Sequence, residues 1–241
     1  MPHSAIELWV MSVLGSFGGV CELFDHTIFL VLNNDLLKGV PFAAALLILW
    51  AMPRPQHTDE DREAVLSIGL ATLLSLIIGR FVQNMFQSPR PLMIPEIAAM
   101  YPPSFNEYRF DMNSFPSDHM ALYFAIALGV HRVRRALGMV LIGWSLVGVG
   151  FPRIYGGYHF PIDILGGMAL AAASLTLVWQ MRTWLRPLWT KVLQLAARYP
   201  TMAMSAAFIL CFQIATVFNT VRDLEDFGRT SVRLLRTAFL Q

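Results

Sequence analysis

The chain has 241 residues, 56% of them hydrophobic and only 14% charged, where a soluble domain carries roughly 25% charged residues. That balance belongs to a membrane protein. A formal net charge of +2, with the basic residues scattered between apolar runs, excludes nucleic acid as an expected partner.

Cys21 and Cys211 stand far apart in apolar context, as buried thiols rather than a disulfide framework or a metal site. No linker, low-complexity block or internal repeat divides the chain, so residues 1–241 are read as one membrane-embedded domain. No Lys or Arg precedes Lys38, so the basic front end of a cleavable signal peptide is missing, and the first membrane segment is expected to direct its own insertion.

In chain order, the segment ELFDHTIFLVLNND, ending at Asp35, reads as an amphipathic helix along the interface, with a seventh span as the other possibility. Crossing a hydrocarbon core about 30 Å thick takes about 20 mostly apolar helical residues. Six segments meet or approach that length: 36–52, 65–86, 119–130, 136–151, 161–181 and 201–220. Pro161 sits at a first helical turn, where proline is best tolerated. The predicted fold is therefore all-α: an integral-membrane bundle of about six transmembrane helices over 36–220, an interfacial region over 1–35 and a tail over 221–241.

Arg132, Arg134 and Arg135 follow the third span, and Arg182, Arg186, Lys191 and Arg198 follow the fifth. The positive-inside bias places those loops in the cytoplasm. Counting spans then puts residues 87–118 and the RIYGGYH loop together on the opposite face, with the tail beyond Val221. Four arginines in that tail (Arg222, Arg229, Arg233, Arg236) run against the bias.

Three polar clusters collect on the external face: QNMFQSPRP with Arg90, SFPSDH with Ser117 and His119, and PRIYGGYHFPID with Arg153, His159 and Asp163. A single histidine or arginine at a membrane edge is more often an interfacial side chain. Three clusters at one level change that weighting, because ionisable groups at membrane depth are costly and usually functional. His159 and Asp163 are four residues apart, which puts them on one helical face, where the carboxylate can fix the imidazole tautomer and leave the other nitrogen to attack or accept a proton. Gly156 and Gly157 let the loop from Arg153 fold back. Ser117 is placed to cap the third span, whose free amides and positive dipole end form an anion site beside His119. Arg90 and Arg153 can each fork two hydrogen bonds onto phosphate, so a phosphoryl group is the preferred ligand, with no metal or cofactor needed.

These residues resemble the three-part signature of the type 2 phosphatidic acid phosphatase superfamily. The third part, Arg, five residues, His, three residues, Asp, is complete at Arg153, His159 and Asp163; the second reads PSDH; the first ends at Arg90 and Pro91. The resemblance implies that His159 takes the phosphoryl group, Asp163 orients it, His119 protonates the leaving oxygen, and Arg90, Arg153 and Ser117 hold the phosphate.

Three positions depart from the family pattern. Gln83 stands where a lysine is usual, and Arg80, one turn earlier, is the proposed substitute cation. Asp118 replaces a glycine, as in some bacterial prenyl pyrophosphate phosphatases, and would repel phosphate unless turned away or paired. Pro152 replaces the serine before Arg153. The resemblance implies a lipid phosphate or pyrophosphate substrate held at the bilayer, with undecaprenyl pyrophosphate favoured and phosphatidic acid, phosphatidylglycerol phosphate or lipid A phosphates as alternatives. A phosphotransferase of the same fold is a further alternative. The expected location is a bacterial inner membrane with the site facing the periplasm. The loop from Leu92 to Phe115, with Tyr101, Pro102, Pro103 and Tyr108, is expected to shape substrate choice, and oligomeric state has no sequence signal.

Overall fold

The computed structural model describes residues 4–86, 88–107 and 113–218; Tyr108 and the tail beyond Val221 lie outside them. Every regular element among the described residues is helical, with no strand.

The chain opens with two helices, α1 (Ala5–Phe17) and α2 (Glu22–Asn33). Ser4 and Glu7 form a capping box: Ser4 Oγ accepts from Glu7 N–H at 3.2 Å, and Glu7 Oε2 accepts from Ser4 N–H at 2.8 Å. Asn34 ends α2 and its Oδ1 caps α3 (Asp35–Ala51), accepting from Leu37 N–H at 3.0 Å. The two helices meet there at 57°. Where the sequence suggested one interfacial helix ending at Asp35, the structure has two, and the second is bent onto the first predicted span. Buried Asp25 fastens this hairpin by accepting from Gly19 N–H at 2.8 Å and from the Tyr155 hydroxyl.

α4 (Thr58–Phe86) begins at the opposite end of the bundle, where fully buried Asp61 pairs with Arg54 at 2.6 Å. Arg134 joins the same corner, donating to Met52 O at 2.7 Å. After α4 a short segment carries a one-turn 3₁₀ helix (Pro91–Met93), α5 (Pro95–Ala98) and a second 3₁₀ turn (Pro103–Glu107). Leu92, Ile97, Tyr101 and Phe105 from this segment pack with Met11 and Ile28 of the N-terminal hairpin and with Tyr155 and Phe160, forming a second small core.

α6 (Asp118–Val133) is the centre of the main core, with eleven buried residues. At 16 residues it rises only about 24 Å. Length and hydropathy mark three helical segments able to cross a membrane: the one containing α4, Arg135–Tyr155 and Pro161–Gln180. They mark up to five if each bent pair is one span. By length and composition the described residues thus hold three to five candidate spans, a measure that α6 with its 16 residues falls short of.

α7 (Arg135–Trp144) continues through a π-helical turn (Ser145–Gly150) into α8 (Phe151–Tyr155). The wide turn has a local cause. Pro152 has no N–H to give to Gly148 and its ring crowds that carbonyl, so the preceding turn opens and Phe151 N–H bonds back to Leu146 O. α9 (Pro161–Gln180) then packs against α4 and α6 through small residues, among them Gly167, Ala171 and Ser174. Ser75 Oγ donates to Ala121 O at 3.1 Å across the α4–α6 seam.

The basic segment after α9, expected as a loop, is a helix, α10 (Arg182–Arg198), bent by 116° from α11 (Pro200–Ala215). Leu185, Trp189, Val192 and Ala196, spaced by three or four residues, turn toward protein while Arg182, Arg186 and Trp184 are exposed. The described part of the sixth predicted span ends at Phe218.

Candidate active site

The end of α4, the start of α6 and the α8–α9 corner come together at the end of the bundle opposite Asp61. Backbone and side-chain hydrogen bonds stitch the three polar clusters to one another. Gln83 Nε2, from the first, donates to Pro116 O of the second at 2.8 Å. Ser117 N–H of the second donates to Asp163 O of the third at 3.0 Å. Arg90 Nη1 of the first donates to Tyr158 O of the third at 3.4 Å, and Leu92 N–H donates to Gly157 O at 3.3 Å.

The α8–α9 corner folds tightly because two amides share one acceptor: Tyr158 N–H and His159 N–H both donate to Arg153 O, at 2.9 and 3.1 Å. Gly157 makes this possible with φ +71°, and a Cβ there would stand 2.5 Å from Leu92 Cγ, so both its conformation and its space require glycine. The corner brings Arg153, 6% exposed, back toward the histidine.

His159 and Asp163 are each 1% exposed. Asp163 Oδ2 accepts from Phe160 N–H at 2.8 Å, which caps α9, and lies 3.4 Å from His159 Nδ1. One carboxylate therefore anchors the helix start and orients the imidazole. His159 Nε2 is buried with no hydrogen-bond partner among the described residues. Burial pushes the His159 imidazole down to about 4; Asp163 opposes that shift, while the Arg90 and Arg153 charges add to it. The ring is consequently neutral at pH 7, with Nε2 available as a nucleophile if the proton rests on Nδ1 beside Asp163.

His119 lies in the first turn of α6, its ring edge-on to Tyr123 at 6.4 Å between centroids. Its Nδ1 is 2.9 Å from Asp118 Oδ1. Arg153 is within electrostatic reach of both histidines, which makes it the cation common to the two rings.

Ser117 occupies the N-cap position of α6, yet its hydroxyl makes no capping bond and is buried without a partner among the described residues. The expected cap is instead supplied in part by Asp118, whose Oδ1 takes the His119 N–H at 2.9 Å. Asp118 is thus turned onto its own helix and its neighbouring histidine, which answers the concern that it would repel phosphate. Pro91 is buried at the start of its 3₁₀ turn and fixes the backbone next to Arg90.

Gln83 is buried at the α4–α6 seam, and Arg80 is exposed, donating to Gln83 Oε1 at 3.2 Å. A different cation enters from α3. Lys38 is 2% exposed, with Nζ held 2.7 Å from Asp35 Oδ1 and 2.6 Å from Leu32 O, and it lies within electrostatic reach of Arg153, Asp118 and His119. Sequence reading passed over it. The signal was present, since Lys38 lies inside the first predicted span, where a charge needs a reason.

The PAP2 superfamily profile matches residues 64–187. The chain belongs to the PAP2 superfamily. Undecaprenyl-diphosphatase BcrC of Bacillus subtilis is 29% identical to it over 148 residues, covering 61% of this chain and 71% of that protein. Putative undecaprenyl-diphosphatase YbjG of Escherichia coli is 29% identical over 150 residues, covering 61% and 70%. Lipid A 4'-phosphatase of Porphyromonas gingivalis is 31% identical over 180 residues, covering 68% and 75%. The crystal structure of Aquifex aeolicus LpxE superposes with a TM-score of 0.53 over 73% of this chain and 96% of that one, at 21% identity, and so shares the fold. With its candidate membrane spans, this PAP2 chain is an integral-membrane lipid phosphatase.

Proposed function

We propose that the protein hydrolyses a lipid pyrophosphate, undecaprenyl pyrophosphate in the first instance, through a phosphohistidine at His159. The observation that carries this reading is the buried Nε2 of His159, unpartnered among the described residues, with Nδ1 facing Asp163. In the first step Nε2 attacks the terminal phosphorus, the bridging P–O bond breaks, and the lipid phosphate leaves with a proton from His119. In the second, water attacks the phosphohistidine, His119 takes the water's proton, and inorganic phosphate departs. Splitting the hydrolysis in this way replaces one very slow displacement by two assisted ones.

Arg90, Arg153 and the Ser117 hydroxyl hold the phosphoryl oxygens as negative charge builds in the transition state. Lys38 supplies the positive charge that Gln83 lacks, a part first given to Arg80. The arginines and lysine offer the charge neutralisation that a metal would otherwise give. The names of the Bacillus and Escherichia relatives support a pyrophosphate substrate. The lipid A 4'-phosphatase relative supports monoester cleavage as the second reading.

The chain runs in a bacterial inner membrane with the site on the periplasmic side. Arg54, Arg132, Arg134, Arg182 and Arg186, gathered at the other end, support a cytoplasmic side there by the positive-inside bias. The test is phosphate release by the purified protein in detergent with EDTA, using undecaprenyl pyrophosphate, phosphatidic acid, phosphatidylglycerol phosphate and a lipid A phosphate, beside His159→Ala. Release that survives EDTA, is fastest on the pyrophosphate and vanishes in the variant is the expected result. Undiminished release by His159→Ala overturns the mechanism, and phosphate appearing only on an added acceptor makes the protein a transferase.

A further inference from the structure

Resting on the reading above, the position of Asp118 has a consequence for the acid step. Asp118 and His119 open α6 together, both side chains largely buried, at 14% and 10% exposure. A single oxygen, Asp118 Oδ1, accepts from the backbone N–H of His119 and faces its ring Nδ1, each at 2.9 Å. The backbone bond fixes where the oxygen stands, and the ring must then turn Nδ1 toward it. Tyr123, one helical turn on, meets the ring edge-on and limits its rotation.

Two effects follow. The first is tautomeric. A proton held on Nδ1 leaves Nε2 as the atom that exchanges protons with substrate and water. The second is electrostatic. Arg153 from α8, Lys38 from α3 and Asp118 beside it act electrostatically on His119. A ring within reach of two cations holds a second proton poorly, and a carboxylate in contact offsets that repulsion. Both cations belong to the proposed phosphate site, so a site made positive enough to bind its substrate weakens its own acid unless a carboxylate stands in contact with that acid.

We propose that Asp118 is a positioning residue for His119, a second aspartate–histidine pair beside Asp163–His159, and that it matters in proportion to the basicity of the leaving oxygen. The two pairs are joined through the Ser117 N–H to Asp163 O bond at 3.0 Å, so a backbone hydrogen bond ties the helix start that carries the acid to the one beside the nucleophile. Expelling an alkoxide needs a proton in the transition state, whereas expelling a nitrophenolate hardly does. Asp118 therefore gives the enzyme reach toward poor leaving groups.

The test uses the 241-residue chain in detergent and three amphiphilic monoesters of similar chain length: an alkyl phosphate, an alkylphenyl phosphate and its nitro-substituted counterpart. Wild type, Asp118→Asn and Asp118→Gly are compared, with His119→Ala and His159→Ala as references. Asp118→Asn keeps the shape but removes the charge, and in kcat/KM, which reports phosphoryl transfer to His159 and not the later attack of water, is expected to lose about 100-fold on the alkyl phosphate and less than about threefold on the nitrophenyl ester. The basic limb of its kcat/KM–pH profile moves to lower pH, since the acid now gives up its proton more readily. Asp118→Gly should follow the same leaving-group order, which separates lost charge from a misfolded asparagine variant. Equal losses on all three esters, or an unmoved basic limb, overturn the proposal. Activity remaining in His159→Ala overturns the phosphohistidine reading instead, independently of what the Asp118 variants do.

Discussion

Replacing Gly167 with alanine separates the two histidines without touching either. The added Cβ would lie 2.5 Å from Ser117 O, 2.9 Å from Met120 Cβ and 3.1 Å from Ala121 N. Two of those neighbours are backbone atoms, so no rotamer change relieves the clash. Ordinary contact begins near 3.4 Å, so α6 and α9 must part by about 1 Å at this level in a core packed to crystal density. The Ser117–Asp163 hydrogen bond spans that same gap, four residues from Gly167 along α9. Overpacking of this kind costs about 1–3 kcal/mol of stability, and a displacement of about 1 Å between reacting groups costs roughly 100-fold in rate. Gly167→Ala should therefore remain folded, with a lowered thermal midpoint, and lose about 100-fold in kcat. Gly69→Ala and Gly143→Ala, where a Cβ meets nothing within 4 Å, serve as controls and should keep full activity. Phosphate release and thermal unfolding in the same detergent measure both effects. A Gly167→Ala protein within about threefold of the wild-type rate would refute the claim that this helix contact sets the catalytic geometry.

Three further outcomes are expected. Lys38→Met should lower kcat/KM by about 100-fold, and Arg80→Ala by less than about threefold, because a buried cation facing the site is worth far more than an exposed one; the reverse order would return the role to Arg80. The acid limb of kcat/KM should fall near pH 4: the depressed His159 value leaves the nucleophile neutral above it, and activity is lost as pH drops through about 4. A limb near 6.5, the ordinary histidine value, would contradict the burial argument. Asp25→Ala removes the acceptor shared by Gly19 N–H and the Tyr155 hydroxyl and should cost about 1–3 kcal/mol, read as a lower thermal midpoint; an unchanged midpoint would mean that the N-terminal hairpin is held by apolar packing alone.

Much of the site was legible because its spacings are local. Arg153, His159 and Asp163 lie within one turn and one loop, so their periodicity carries their geometry. Pro161 marked the helix start, and the span count brought the three clusters to one end. What the sequence left hidden depends on packing between distant segments. Lys38 is buried only because α2 bends at Asn34 and α3 lies against α6, and nothing local tells an interior lysine from one snorkelling to the interface. Arg80 and Gln83 do share a helical face, as their spacing implies, but that face carries Gln83 into the seam and leaves Arg80 outside. The apolar character of α6 marks it as a span in the sequence, but not that this character serves protein contacts on nearly every side. α10 was missed because its arginines outweigh a narrow apolar stripe.

The central claim is that His159 carries the phosphoryl group. The most direct measurement is rapid alkaline quench of the enzyme during turnover of undecaprenyl pyrophosphate, followed by mass spectrometry of the peptide containing His159. His119→Ala is the variant of choice, since a phosphate-based leaving group departs with little help while water attack still needs a base. One phosphoryl group on His159 is expected, accumulating in this variant and absent from His159→Ala. A phosphoryl group on another residue, or turnover with His159 unmodified at every quench time, would contradict it.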